Sequence, residues 1–294
     1  MTRHRLLPYI LLTLTVLFWS GNFVLGRGIR ELIPPVSLNF WRWTGALLIL
    51  LPFGLPGLRR QWGLVRRHWR FILLMGIPSV TLFNAFIYQA LQTTTTTNTV
   101  LVNAMVPIFI VVLDRAIFGV RLAGRQALGV LTSLGGLVFI VSRGDPAMLL
   151  SLRFSAGDLW TLAAGVSWAL YTVFLRKRPG DLEPLVFLTA LIMAGLMVLA
   201  PFYLWEFYAT GGFPLGWPSL GSLAYVALFP SVLSYIFYNR GVAMVGPGRA
   251  GIFFHLMPVF AIMLAFFFLG ERLAGFHLIG MGLIFSGIAL TTLK

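Results

Sequence analysis

Ten polar or aromatic side chains lie inside long apolar stretches of this chain: Trp19, Asn22, Asn84, Tyr88, Asn103, Trp168, Tyr171, Tyr235, Tyr238 and His255. Trp19 with Asn22, Trp168 with Tyr171 and Tyr235 with Tyr238 stand three apart, and Asn84 with Tyr88 four apart, so each pair shares a helix face. Rings offer apolar contact and cation–π attraction to an ammonium group. Amides and hydroxyls bond a carboxylate without putting a charge into hydrocarbon. The chemistry is therefore binding, of a zwitterionic or uncharged small molecule with an apolar side chain. Each residue also has a plainer reading, because Trp and Tyr anchor at membrane interfaces while Asn and His bridge helices.

Reaction chemistry finds little to work with. The eight carboxylates, Glu31, Asp114, Asp145, Asp158, Asp181, Glu183, Glu206 and Glu271, fall at the ends of apolar stretches or between them. Neither His-Glu-x-x-His nor Gly-x-Ser-x-Gly occurs, and the lack of cysteine removes disulfides and thiolate metal sites. No enzyme activity, cofactor or metal is expected. A pump for lipophilic cations calls for a mid-membrane acid, and a carrier of phosphorylated sugars for several converging basic residues. Arg42 alone stands inside a stretch; snorkelling to the interface is its default reading and a substrate carboxylate the sharper one. The site is expected to be neutral. His255 is the buried group with a near-neutral reference pKa, which makes it the candidate for proton coupling.

Lipid must position these residues. The chain has 294 residues, 59% hydrophobic and 10% charged, with mean hydropathy +0.90; a soluble domain needs far more charged surface. A net charge of +14 sits in short clusters between apolar runs, which is loop charge facing anionic headgroups and not a nucleic-acid patch. A bilayer core demands roughly 20 apolar residues per helix. Ten stretches meet this: Leu6–Arg27, Val36–Leu55, Trp69–Leu91, Asn98–Phe118, Leu122–Val141, Ala156–Leu175, Pro184–Phe207, Ser219–Asn239, Gly248–Leu269 and Leu273–Leu293. The first reads as a retained span, not a cleaved secretory signal. An all-α membrane protein with both termini cytoplasmic is expected, since that orientation leaves Arg27, Arg30, Arg143, Arg153 and Arg272 as the outer basic residues and puts most others inside. LRRQWGLVRRHWR reads as an interfacial helix, with a plain basic loop as the alternative. The run Thr93–Thr97 reads as a helix-capping outer loop.

The chain also repeats itself. RLAG stands at 121–124 and again at 272–275, and the same shift of 151 pairs Pro107 with Pro258, Gly119 with Gly270 and Gly136 with Gly287. Pro78-Ser79-Val80 returns as Pro230-Ser231-Val232, and a shift of 149 pairs Trp19 with Trp168 and Pro35 with Pro184. Five spans separate equivalent points, an odd number, so the halves 1–145 and 146–294 are expected to be five-helix repeats of inverted topology, which favours transport. Pro78, Pro107, Pro230 and Pro258 lack an N–H and free a carbonyl, so they read as hinges or as packed kinks. Gly129-x-x-x-Ser133 and Gly282-x-x-x-Ser286 are small-residue pairs expected to pack the fifth and tenth spans against each other or against a second copy.

FWSGNFVLGRGI in the first span, the arginine of FWRWTGALLIL in the second, Tyr88-Gln-Ala-Leu followed by Pro107, and the LGERLAG ending with its later glycines resemble the EamA-type, ten-span members of the drug/metabolite transporter superfamily. One departure is Gly119-Val120-Arg121, where that family often has Gly-Glu-Arg. The aromatic-rich spans look most like YddG-type amino-acid exporters. The resemblance implies a multi-pass carrier of the bacterial inner membrane that moves amino acids, aromatic and apolar ones included, by alternating access. Its expected partners are a small-molecule substrate and the bilayer; a monomer is expected, with a homodimer as the alternative. Another neutral metabolite or drug on the same fold, an intramembrane enzyme and a channel are the rival readings.

Overall fold

The computed structural model describes residues 3–94, 99, 102–145, 147–150, 155–269 and 274–292. Those residues are helical with short connectors, and nine of the described helices are long and apolar enough to cross a membrane. In chain order the main helices are α1 (Arg3–Gly28) and α2 (Pro35–Arg60), then the short α3 (Trp62–Arg67) and α4 (Trp69–Thr93). Next come α5 (Val106–Phe118), α6 (Gly124–Val141), α7 (Ala156–Lys177), α8 (Pro184–Thr210) and α9 (Trp217–Val245). The helix α10 starts as Pro247–Gly251, tightens through a 3₁₀ turn at Ile252–His255 and continues as Leu256–Leu269, and α11 is Gly275–Thr292. All but α3 and α5 are among the nine. The expected fourth span, Asn98–Phe118, corresponds to α5, but Asn98, Val100 and Leu101 lie outside the described residues, as do Thr95–Thr97 and Arg272. The eighth stretch, expected to end at Asn239, runs on to Val245. Nothing before Gly246 stops it; that glycine sits at φ 85° and its N–H closes the helix on Val242 O.

Tight packing follows the small residues. The pair α6 and α11 packs most extensively of all. A Cβ on Gly136 would stand 2.6 Å from Gly280 O, and Gly129 and Gly287 face the same seam. Here the expected pairing needs correcting. Gly129 and Ser133 do face the seam, but Gly282 and Ser286 are exposed on the opposite face of α11, and Gly280 and Gly287 take their place. Seven residues is nearly two helical turns, so this second pair keeps one face where a shift of two residues does not. The helices α2 and α8 pack along each other, α1 packs along α9, and α7 packs along α4.

Two of these helices loosen in the middle. Within α4, Ile77–Leu82 forms a π-helical turn, and within α9, Leu228–Leu233 does the same. A shift of 151 carries one segment onto the other. Each contains a Pro-Ser-Val, so Pro78 and Pro230 lie inside π turns, while Pro107 follows the turn that opens α5 and Pro258 follows the 3₁₀ turn of α10. Proline removes one N–H and the π turn skips another register, leaving carbonyls without helical partners. Ser231 Oγ donates to Val226 O, the carbonyl four residues before Pro230, at 2.6 Å. The first π turn is wedged against α8, where Thr81 Oγ1 donates to Gly195 O at 2.9 Å.

Carboxylates close helix ends, as their positions lead one to expect. Glu206 accepts from the backbone N–H of Val36 at 3.0 Å and of Ser37 at 2.6 Å, holding the N-terminus of α2. Asp114 pairs with Arg176 at 2.7 Å and Glu183 pairs with Arg60. The basic segment between α2 and α4 is helical at α3, with Val65 buried against the protein and Trp62 and Trp69 exposed.

Candidate functional site

The unpaired carbonyls of the two π turns organise the centre of the molecule. In the second turn, Pro230 O accepts from the indole N–H of Trp19 and from Arg42 Nη2, both at 3.0 Å. In the first, Ser79 O, which a shift of 151 carries onto Pro230, accepts from the Tyr235 hydroxyl at 2.6 Å. Asn39 Nδ2 takes the next two carbonyls, Val80 O at 3.2 Å and Thr81 O at 3.1 Å. Each loosened helix is thus read by side chains from elsewhere.

Around these bonds the aromatic residues close into one cluster. Trp168 stands at its centre, 0% exposed. Its ring meets Trp19 edge-on at 4.8 Å, Tyr235 at 5.4 Å, Tyr238 and Tyr171 at 5.2 Å and Phe83 at 4.8 Å. Trp19 and Trp168, equivalent under the shift of 149, therefore touch across the halves, and five of the ten expected residues share this cluster. Phe254 also joins it, 5.3 Å from Trp19; a Phe in an apolar run gives no sequence signal of such a role.

Beside the cluster lies a residue that sequence reasoning placed elsewhere. Arg42 does not snorkel. It is 1% exposed, and its guanidinium donates from Nε to Ser231 Oγ at 2.6 Å and from Nη1 to Asn84 Oδ1 at 2.8 Å, Tyr88 Oη at 2.9 Å and Asn22 Oδ1 at 3.2 Å. Tyr88 in turn donates to Asn22 Oδ1 at 2.8 Å. The expected trio Asn22, Asn84 and Tyr88 is brought together, but around a buried cation, so the expectation of a neutral site is corrected. A helix read alone shows that Arg42 is near its end; it does not show that α1, α4 and α9 offer acceptors at that depth. Every acceptor is neutral, and among the described residues no carboxylate pairs with Arg42.

A second set of polar bonds also borders the aromatic rings. Tyr171 donates to Asn239 Oδ1 at 2.8 Å, and Thr172 and Tyr238 share a hydrogen bond at 2.9 Å. Asn239 was missed by the sequence reading, although the repeat points to it, since Tyr88 maps onto it under the shift of 151.

Two expected residues stand apart. His255 is fully buried, with Nε2 donating to Ala104 O at 3.0 Å and Nδ1 bonded to the Ser133 hydroxyl. Its partners hold α10 to α6 through Ser133 and to the turn that opens α5 through Ala104, so its plainer reading as a bridge fits the bonds observed. Asn103 gives an N–H to Met257 Sδ at 3.3 Å and leaves Oδ1 unpaired.

Comparison with known proteins sets this geometry in context. Residues 6–142 and 155–293 each match the EamA-like transporter family. Uncharacterized transporter YyaM of Bacillus subtilis is 26% identical over 285 residues, covering 95% of this chain and 92% of the relative. A protein of Escherichia coli named "Probable amino-acid metabolite efflux pump" is 24% identical, covering 95% of this chain and 92% of its own. A solved crystal structure superposes with TM-score 0.77 at 21% identity, over 97% of this chain and 96% of the other, a likeness of fold.

Proposed function

This chain belongs to the EamA-like transporter family, and from that premise we propose that it is a secondary transporter of amino acids, aromatic and apolar ones included, and of related small metabolites. In this reading, residues 1–145 and 146–294 are five-span repeats of opposite topology in the cell inner membrane, both termini are cytoplasmic, and the halves rock about a central site. The direction is export or facilitated exchange, as in YddG-type exporters.

The observation that carries the proposal is the meeting of Trp19 with Trp168 inside one fully closed cluster. Equivalent residues of two repeats converge at the point where alternating access needs a site shared by both halves. The matched π turns support it, since loosened helix segments beside the site are where a hinge costs least. The printed name of the Escherichia coli relative supports the substrate class.

Counterflow in liposomes tests the reading. Purified protein reconstituted with an unlabelled amino acid inside should accumulate the labelled one transiently and saturably. Flux that never saturates and shows no counterflow would point to a channel. Counterflow confined to an unrelated neutral metabolite would keep the carrier and replace its substrate.

A further inference from the structure

Arg42 carries a charge that the protein does not neutralise. Moving a guanidinium from water to a site 1% exposed is costly, and such charges persist when paired or when they serve a ligand. Its hydrogen bonds go to two amide oxygens, two hydroxyls and one backbone carbonyl. All are dipoles, so they satisfy hydrogen bonds without cancelling the charge. The bonds are also unevenly spread. Nη1 has two protons for three acceptors, whereas Nη2 has two protons for the single acceptor Pro230 O, leaving one N–H unspent.

A second unspent donor lies on the same shell. Asn84 turns its oxygen to Arg42, and its buried Nδ2 faces the Tyr235 hydroxyl, already spent as a donor to Ser79 O, without a hydrogen bond of acceptable geometry. Asn84 Oδ1 bonds Arg42 Nη1, so guanidinium and carboxamide are neighbours, and the N–H groups of two such neighbours are a donor fork of the kind that the two oxygens of a carboxylate fit. Pro230 O ties this fork to the aromatic cluster, because it accepts from Arg42 and from Trp19 at equal 3.0 Å distances. A molecule with a carboxylate one or two atoms from an apolar group would span both features.

We propose that Arg42, with Asn84, is the carboxylate anchor of the transport site, so that the substrates are small carboxylates with an apolar or aromatic side chain held against Trp19 and Trp168. The Tyr88 and Asn22 contacts to Nη1 are the bonds an entering carboxylate displaces, and they re-form when it leaves. The proposal rests on the reading of this cluster as the transport site and gives that site its required substrate group.

Binding is measured on the full-length protein in detergent by quenching of intrinsic tryptophan fluorescence, with phenylalanine, leucine and threonine each beside its carboxamide. Each pair differs only in the group Arg42 is said to hold. At least one acid should bind about tenfold more tightly than its amide, the scale of a charge-assisted hydrogen bond. Arg42→Gln should erase that difference, and Arg42→Lys should retain a reduced one. Equal binding of every acid and amide, or no binding of any acid, overturns the anchor, as does an Arg42→Gln protein that still prefers acids. Should Arg42→Gln fail to fold, the acid-to-amide ratio of the unaltered protein decides alone. Acid-selective binding without counterflow would keep the anchor and sink the carrier, whereas counterflow without acid preference would do the reverse.

Discussion

Tyr88 donates to Asn22 Oδ1 over 2.8 Å, and the repeat returns this bond with its partners exchanged: Tyr171, equivalent to Asn22, donates to Asn239, equivalent to Tyr88, also over 2.8 Å. Each bond joins the first and third spans of its own half, and each lies three residues along the helix from one member of the Trp19–Trp168 contact. In a carrier of inverted repeats they are the same latch at the two mouths of the site, and both are shut here.

Breaking one latch should therefore bias the carrier one way. A buried neutral hydrogen bond is worth about 1 kcal/mol, a shift of about fivefold in the balance of two states. Tyr88→Phe should raise maleimide labelling of a cysteine at Leu91, and Tyr171→Phe that of one at Val242, both positions being buried one turn beyond the latches. The chain has no cysteine of its own, so the labelling background is low. Equal labelling of both positions in both variants would show that the bonds are not gates.

The seam between α6 and α11 makes a sharper claim about stability. Gly136→Ala should cost about 1–3 kcal/mol, because its Cβ would stand 2.6 Å from Gly280 O and 2.9 Å from Ile284 N, backbone atoms that cannot swing aside. Gly135→Ala, one residue away with nothing within 4 Å, should leave thermal stability in detergent unchanged or raised. Gly282→Ala should behave like Gly135→Ala.

Those glycines show where the sequence is legible. Hydropathy located the apolar helices because the bilayer imposes length and polarity on each one separately, and the repeat paired Trp19 with Trp168 because both halves keep the same residue. Facing partners are a different matter. Choosing Gly280 over Gly282 needs the rotation of α11 against α6, and placing Arg42 needs the acceptors on α1, α4 and α9. Periodicity within one helix carries neither. Asn239 was within reach, since applying the repeat to Tyr88 points to it even though the residue type changed.

His255 tests the plainer of its two readings. Nε2 must be protonated to donate to Ala104 O, which leaves Nδ1 of the neutral ring to accept from the Ser133 hydroxyl. With Nδ1 committed to α6 and Nε2 to the turn that opens α5, the ring has no site left for a transported proton. His255→Gln should lower thermal stability by about 1–3 kcal/mol through the unsatisfied groups it leaves. Its transport should keep the pH response of the unaltered protein; a flattened pH profile in that variant would restore a coupling role.

Inversion of the halves is the claim with the widest consequences. If α1 to α6 and α7 to α11 were parallel copies, Trp19 and Trp168 could still meet, but the latches Tyr88–Asn22 and Tyr171–Asn239 would open on the same side and could not alternate. The duplicated RLAG offers a direct test, because Arg121 and Arg272 are equivalent residues that fall between apolar stretches of the sequence. With an odd number of spans between them they must lie on opposite faces of the membrane. Single cysteines at these two positions, labelled in intact cells with a membrane-impermeant maleimide, should react at 272 and stay protected at 121 until the membrane is opened. The basic clusters give the expected sign of that outcome, since the Arg121 segment also carries Arg115 and Arg125 and is expected on the cytoplasmic side. Reaction of both positions from one side would overturn the inverted architecture and, with it, the assignment of the two latches to opposite mouths.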